Sequence, residues 1–140
     1  MELDTELEQR VWQRVHGCPG EVFPEEFPTL IAHRLGAAAE YVRLSRQTKY
    51  RATFARLERN ARKQASCLLG LHRLGGGNSR ISPLPPAGRE ENALARCIRE
   101  ELRFIQACAG QTGQWMPVLE ALGTLSRENL LLLLEILGDK

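Results

Sequence analysis

The side chains that could do chemistry in this sequence are polar residues within otherwise apolar helical seams. Along the stretch from Lys49 to Leu74, read at steps of three and four, Ala61 and Gln64 occupy the middle of the seam. If a helical bundle held a metal ion, a carboxylate and a histidine would stand at this spacing. Alanine and glutamine are neither, so these two residues hold no metal ion by themselves. The same level of the predicted bundle receives Arg34, Ala61, Gln64, Cys97, Glu101, Ser126 and Asn129.

Polar residues at one level of a core need partners, because an unpaired buried polar group costs about 1–3 kcal/mol and a buried charge costs more. Glu101 is the only acid in the seams, and it can meet Arg34 across the bundle, where a planar guanidinium suits a carboxylate. A register shifted by one residue would instead put Leu35 inside and Arg34 at the surface, and the sequence leaves both arrangements open. We expect the amides of Gln64 and Asn129 to bridge the two halves of the bundle.

The cysteines form no recognisable motif. None is part of a C-x-x-C pair and no histidine stands near any two of them, which indicates neither a zinc site nor a disulfide framework. Buried free thiols are the expectation, with the alternative that Cys97 in a polar core is reactive. The four residues are Cys18, Cys67, Cys97 and Cys108.

The histidines suit surface or helix-capping positions better than metal ligation. His16 and His72 end predicted helices, where a cation is favoured by the helix dipole, and His33 adjoins Arg34. A non-standard metal set could be drawn from these histidines and four acids, but on the predicted helical registers its members do not converge. Those acids are Glu40, Glu58, Glu100 and Glu101.

Five helices are needed to position these residues, and no stretch alternates with period two for the length of a strand. Gly75, Gly76, Gly77 and Asn78 end the third helix, and the three prolines between Ser82 and Gly88 indicate an extended crossover. The helices are predicted near Asp4 to His16, Pro28 to Gln47, Lys49 to Leu74, Arg89 to Ala109 and Trp115 to Leu137.

The residues that these helices turn inward follow the same spacing. The second helix presents Ile31, Arg34 or Leu35, Ala38, Tyr41 or Val42, and Ser45; the third presents Phe54, Leu57, Ala61, Gln64, Leu68 and Leu71. The fourth presents Leu94, Cys97, Glu101, Phe104 and Cys108; the fifth presents Leu119, Leu122, Ser126, Asn129, Leu133 and Ile136.

The last four helices form two hairpins whose seams match, and an internal repeat is the economical explanation. Two short hairpins joined by a longer crossover predict a four-helix bundle. The aligned pairs are Tyr41 with Phe104, Phe54 with Leu119, Leu57 with Leu122, Ala61 with Ser126, Gln64 with Asn129, and Leu68 with Leu133.

The double hairpin, the proline-rich crossover, and an aromatic residue seven positions after Arg34 and Cys97 resemble the ferritin-like, rubrerythrin-type bundles. The short amphipathic helix before the bundle resembles that of bacterial members. The resemblance implies an all-α, antiparallel ferritin-like bundle that would bind two irons. It places the lone glutamates of that family on Arg34 and Cys97, one Glu-x-x-His pair on Ala61 and Gln64, and the other on Ser126 and Asn129. Not one ligand survives, so the resemblance implies a degenerate member with no metal and no cofactor.

Length and composition suit one soluble domain. The 140 residues, with 43% hydrophobic and 26% charged side chains, match a globular chain of residues 1–140. Its parts are an N-terminal helix (1–20), a first hairpin (28–74), a crossover (75–88) and a second hairpin (89–137). The acidic start from Met1 to Glu8 is unlike a secretory signal, and the apolar run from Leu130 to Leu134 is too short to cross a bilayer. We expect a cytoplasmic protein with no membrane association.

Charge is distributed unevenly along the chain despite a net charge of +2. Residues 43–80 carry ten bases against one acid, whereas residues 1–26 carry seven acids against two bases. Such a basic stripe can attract an anionic partner, either nucleic acid or an acidic protein. The residues we expect to bind an anion are Arg51, Arg56, Arg59, Arg62 and Lys63.

Three functions therefore remain open from the sequence. The first is a non-catalytic, metal-free scaffold or interaction module, with no catalytic residues. The second is a binding module for an anionic partner through the basic stripe. The third is a metal-binding oxidoreductase that uses non-standard ligands. Self-association into a homodimer is possible for a bundle of this kind, and the sequence identifies no partner.

Overall fold

A computed structural model describes residues 26–77, 80–83, 93–110 and 114–139 of this chain. Most of these residues lie in four α-helices and none lies in a strand, which confirms the all-α prediction for this part of the chain. The predicted helix near Asp4 to His16 lies outside the described residues. The helices are α1 (Glu26–Ser45), α2 (Arg51–Leu74), α3 (Ala93–Ala109) and α4 (Met116–Asp139).

The helix boundaries agree with the predicted ones to within two residues except at the start of α3, which begins at Ala93 rather than near Arg89. At the end of α1 the N–H groups of Arg46 and Gln47 donate to carbonyls three residues earlier, at 3.3 and 3.0 Å. Such bonds tighten the last turn and end the helix before Gln47. The chain then turns into α2, where the N–H of Tyr50 donates to the hydroxyl of Thr48 at 3.0 Å.

The predicted glycine stop after α2 is confirmed, and its geometry explains why glycine stands there. Gly76 has a φ of 84°, which L side chains rarely adopt. Its N–H donates to the carbonyl of Arg73 at 3.0 Å, and the N–H of Gly77 donates to the carbonyl of His72 at 2.9 Å. This pair of bonds is the Schellman arrangement, which satisfies carbonyls that the helix end would leave unpaired.

The inward faces of the four helices form two apolar clusters. The predicted seams of α2 and α4 are buried throughout. At the start of α3 the buried residue is Ala93 and not the predicted Leu94, and at the end of α1 it is Leu44 and not the predicted Ser45. The first apolar cluster comprises Ala38, Tyr41, Leu44, Phe54, Leu57, Ala61, Ala93, Cys97, Leu133 and Ile136. The second comprises Phe27, Ile31, Leu68, Leu71, Phe104, Cys108, Leu119 and Leu122.

Membership of the clusters gives the direction of each helix. The end of α1 and the start of α2 meet in the first cluster, together with the start of α3 and the end of α4. Helices α1 and α2 therefore form one antiparallel hairpin, and α3 and α4 form the other. Across the hairpins α1 contacts α3 and α2 contacts α4. Because α2 ends at the second cluster and α3 starts at the first, the chain between them must pass from one end of the bundle to the other.

None of the four described helices is both long enough and apolar enough to cross a membrane.

Glycine at position 77 is expected to be required by the fold, whereas glycine at position 70 is not. A Cβ at Gly77 would overlap the buried His72 ring, while a Cβ at Gly70 meets nothing within 4 Å. We expect Gly77→Ala to lower the free energy of unfolding by about 1–3 kcal/mol, because the ring must leave its packed position. Gly70→Ala should raise it by about 0.5–1 kcal/mol through helix propensity. Chemical denaturation measures both, and equal effects would contradict the contact.

Candidate functional site: a buried polar layer

A layer of five buried polar side chains separates the two apolar clusters. Arg34 comes from α1, Gln64 from α2, Glu101 from α3, and Ser126 and Asn129 from α4, and each is fully buried. All five were expected at this level from the sequence. Ala61 and Cys97, the other two residues expected there, are buried as well and belong to the first apolar cluster.

Arg34 and Glu101 form the centre of the polar layer. Nη1 of Arg34 donates to both carboxylate oxygens of Glu101, at 3.0 Å each, and both side chains have 0% exposure. The expected pairing is therefore present. Leu35 is only partly buried, so the alternative register with Leu35 inside and Arg34 at the surface is wrong. Ile31 and Ala38, three residues before and four after Arg34, are also buried and place Arg34 on the inner face of α1.

The Arg34 guanidinium has further contacts around the ion pair. Nη1 also donates to Oε1 of Gln64 at 3.1 Å, and Nη2 donates to the carbonyl of Glu100 at 3.4 Å. Its Cζ lies 4.7 Å from the centre of the Phe104 ring, a distance at which a cation is attracted to the ring face. Nε has no hydrogen-bond partner within the described residues. The guanidinium, which α1 supplies, thus contacts side chains of both α2 and α3.

Tyr41 is a second donor to the Glu101 carboxylate. Its hydroxyl donates to Oε2, and its side chain is completely buried, which resolves the choice between Tyr41 and Val42 at the inward position. Burial raises the pKa of Tyr41 well above its ordinary value, and the nearby charge of Glu101 raises the pKa further. The phenol therefore remains protonated and acts as a hydrogen-bond donor.

The amide of Gln64 bridges the two hairpins through its Nε2, as expected, whereas the amide of Asn129 does so through its Oδ1, which accepts from Asn60 of α2. Nε2 of Gln64 donates to the hydroxyl of Ser126 at 2.7 Å and to the carbonyl of Leu122 at 2.8 Å, both in α4. Nδ2 of Asn129 lies 3.4 Å from Oε1 of Glu101, which links α4 to α3. The layer thereby has side-chain or backbone contacts in all four helices.

Asn60 extends the polar layer to the surface, and sequence reasoning missed it. Its Nδ2 donates to Oδ1 of Asn129 at 2.8 Å and to Oε2 of Glu128 at 3.1 Å. Glu128 also forms an ion pair with the exposed Arg56. Asn60 lies one residue outside the α2 seam, so periodicity alone gave no reason to include it.

Cys97 has a buried free thiol. Burial raises its pKa to about 12, with additional contributions from the charges of Glu40 and Glu101. Burial likewise raises the pKa of Cys108 to about 11. Cys67 is exposed, so the expectation of buried thiols is wrong for this residue, while Cys18 lies outside the described residues. For Cys97, burial and the raised pKa favour the inert alternative, which stays a prediction.

Each acid of the non-standard metal set has a basic partner. Glu58 pairs with Arg62, Glu101 with Arg34, and Glu100 with His33 (Nδ1 to Oε2 at 3.0 Å) as well as Arg103. Within the described ranges no group of three or more His, Cys, Asp or Glu side chains could hold a metal ion.

Glu40, the remaining acid of that set, accepts from Arg43 and Arg96. Burial alone would raise its pKa, but the hydrogen bonds and charges of the two arginines outweigh burial and lower the pKa. The ionised carboxylate of Glu40 is therefore held in place by ion pairs with these two arginines.

The histidines occupy different environments. His33 is partly exposed and pairs with Glu100, and His16 lies outside the described residues. His72 is in the last turn of α2, as predicted, but its ring is only 5% exposed and packs edge-on against Phe27. A surface role for His72 is therefore wrong, because the turn through Gly77 closes over the ring.

The five basic residues expected to bind an anion lie on the opposite side of α2 from the polar layer. All of them are exposed, and Arg56 and Arg62 form ion pairs with Glu128 and Glu58. None of them contacts the five buried side chains of the polar layer, and only Arg56 is connected to it, through Glu128 and Asn60. The residues are Arg51, Arg56, Arg59, Arg62 and Lys63.

Comparison with known proteins found no matching family model, no matching curated protein and no matching solved structure.

Removing the Glu101 carboxylate is expected to be strongly destabilising. Glu101→Ala leaves the Arg34 charge and the Tyr41 hydroxyl buried without their acceptor, so the free energy of unfolding should fall by about 3–5 kcal/mol. Arg103→Ala is the matched control, because it breaks the exposed pair with Glu100 and should cost at most about 1 kcal/mol. Urea denaturation followed by circular dichroism measures both. A loss below about 1 kcal/mol for Glu101→Ala would contradict a buried pair.

The three described thiols are expected to differ in reactivity. In the native protein near pH 8, Cys67 should react with iodoacetamide, whereas Cys97 and Cys108 should react only after unfolding, because their raised pKa values keep them protonated. Peptide mass mapping after timed alkylation identifies each site, and the same reaction in denaturant is the control. Rapid native labelling of Cys97 would show that this thiol is reactive.

Proposed function

We propose that this chain is a metal-free bundle of ferritin-like architecture that acts as a scaffold or binding module and not as an enzyme. The observation that carries the proposal is the occupied centre of the bundle. There the only carboxylate of the polar layer, Glu101, accepts two hydrogen bonds from the buried guanidinium of Arg34. The positive charge and the one anion compensate each other without any further ion.

The direction of the helices supports the ferritin-like part of the proposal. Two antiparallel hairpins are joined by a connection that passes from one end of the bundle to the other, which is the one-crossover arrangement of ferritin-like folds. A bundle with short loops throughout would instead place the start of α3 beside the end of α2.

The internal repeat also supports this architecture. If the hairpins are related by a two-fold axis perpendicular to the bundle, aligned residues must lie at opposite ends of it. Phe54 belongs to the first cluster and its counterpart Leu119 to the second, while Leu68 belongs to the second and Leu133 to the first. Tyr41 with Phe104 and Leu57 with Leu122 follow the same rule.

The donor set of the polar layer does not fit a di-iron centre. Two divalent cations need several carboxylates to balance their charge and histidines to complete coordination. The layer instead offers one carboxylate, two amides and one hydroxyl, together with a guanidinium that would repel metal ions.

The polar layer is also closed to substrate. Its five side chains are fully buried, and a groove of about 300 Å³ between α3 and α4 has none of them in its lining. That groove is bordered by Ile105, Met116, Glu120 and Arg127. The buried layer therefore supports a structural role, and surfaces of the bundle are left to make functional contacts.

Metal analysis of the purified protein tests the proposal directly. After expression with added iron and manganese, we expect well under one metal ion per chain by elemental analysis, and no rise in melting temperature when either metal is added. Stoichiometric metal bound in the folded state, with an accompanying stabilisation, would contradict the proposal.

Restoring the ligands tests whether the six positions converge. The variant combines Arg34→Glu, Ala61→Glu, Gln64→His, Cys97→Glu, Ser126→Glu and Asn129→His. It is expected to take up two metal ions and to be stabilised by them, because binding to the folded state adds to the free energy of unfolding. The same variant with Gln64 and Asn129 retained is the control. A folded six-fold variant that binds no metal would show that these positions are not former ligands.

A further inference from the structure

The solvent-facing side of α2 carries six exposed cations. Glu58 is the one acid in this helix, and it is partly buried and paired with Arg62. We call this surface the α2 basic face. Its exposed cations are Arg51, Arg56, Arg59, Arg62, Lys63 and Arg73.

Most of the charge on the α2 basic face is not neutralised by the protein. Arg56 pairs with Glu128 and Arg62 with Glu58, but the side chains of the two arginines are 57% and 58% exposed. Arg51, Arg59, Lys63 and Arg73 have no acidic partner within the described part of the chain. Clustered like charges repel one another, so an anion that binds here gains attraction and relieves that repulsion.

The cations are spread along the helix instead of being gathered at one point. From Arg51 to Arg73 the helix rises by about 33 Å, at about 1.5 Å per residue. A single small anion could contact only a fraction of this length. A polyanion with regularly repeated charges can engage several of these cations together.

The positions between the cations are small. Ala55 and Ser66 are each one helical turn from Arg59 or Arg62 on the same side, and Gly70 follows one turn after Ser66. All three are exposed, and so is Ala52. Short side chains let an extended partner approach the helix backbone while the longer arginine and lysine side chains reach out beside it.

The α2 basic face lacks the features that favour a protein partner. Protein interfaces are usually centred on aromatic or large aliphatic anchors that fill pockets. The large apolar side chains exposed in the described residues lie at the end of α2 (Leu74) or on α3 and α4, for example Leu102 and Leu131. Binding to a phosphate backbone requires only well-placed positive charge, and guanidinium groups can contact phosphate oxygens in pairs.

We propose that the α2 basic face binds the phosphodiester backbone of nucleic acid without reading base sequence. The inference rests on the proposed function in one respect, because it takes the bundle to act through its surface. It specifies the surface and the chemical class of the partner.

Fluorescence anisotropy with the full chain tests the proposal. The probes are a labelled random-sequence DNA duplex of about 20 base pairs and a single-stranded RNA of similar length. We expect binding at about 50 mM salt that weakens steeply towards about 200 mM. Four to six neutralised phosphates predict a slope of about −3.6 to −5.4 for the logarithm of the association constant of the duplex against the logarithm of salt concentration. Duplexes of different sequence should bind alike.

Charge reversal localises the binding. The test variant is Arg59→Glu with Lys63→Glu, and the matched control is Arg99→Glu with Arg127→Glu, which changes the net charge equally at exposed positions on α3 and α4. We expect at least tenfold weaker duplex binding for the test variant and a salt slope smaller by about 2. The control should change the affinity less than about threefold. Matching circular dichroism spectra and melting temperatures establish that both variants fold.

Three outcomes would overturn the proposal: no anisotropy change at the lowest salt, equal weakening in the test and control variants, or displacement of the duplex by a polyglutamate peptide at lower concentration than by unlabelled duplex. The last result would assign the face to an acidic protein.

Metal content is measured separately from nucleic-acid binding. A protein that binds stoichiometric metal and still binds the duplex through Arg59 and Lys63 would therefore contradict only the proposed function.

Discussion

The buried ion pair of Arg34 and Glu101 is the interaction on which the packing of the two hairpins depends. Removing two charges from water costs several kcal/mol per ion, and only good geometry with additional hydrogen bonds offsets that loss. Here both carboxylate oxygens accept from Nη1, Tyr41 adds a third hydrogen bond, and Gln64 accepts from the same guanidinium. A shift of one residue along α1 or α3 would separate these groups, so the pair selects one register of the hairpins. Apolar contacts alone would discriminate between registers less sharply.

The ion pair is asymmetric with respect to the internal repeat. The alignment that matches Tyr41 with Phe104 places Arg34 on Cys97 and Ala38 on Glu101. The repeat therefore matches the salt bridge between Arg34 and Glu101 with a thiol and a methyl group, those of Cys97 and Ala38. A metal centre built from repeated hairpins would use equivalent ligands from both halves. An ion pair formed on one side only is what we expect if the layer now serves packing alone.

Charge is divided between the interior and the surface in a way that separates stability from recognition. Inside the bundle, one cation and one anion compensate each other among apolar clusters, where the low local dielectric makes every unpaired charge expensive. Outside, the cations of α2 face solvent, where they have little effect on stability and remain able to attract an anion. Substitutions on the α2 basic face can thus alter binding without disturbing the layer.

Periodicity in the sequence was sufficient to determine four helices, most of their inward positions and the level of the polar layer, because burial of apolar surface forces a helix to repeat its pattern every three or four residues. The seams of α2 and α4 are buried at every expected position. Only tertiary structure decided between Arg34 and Leu35, since both fit the periodicity and the choice depends on the carboxylate that α3 presents. Asn60 and the buried His72 were likewise decided by neighbours distant in sequence, Asn129 and Phe27, whose contacts no local pattern encodes.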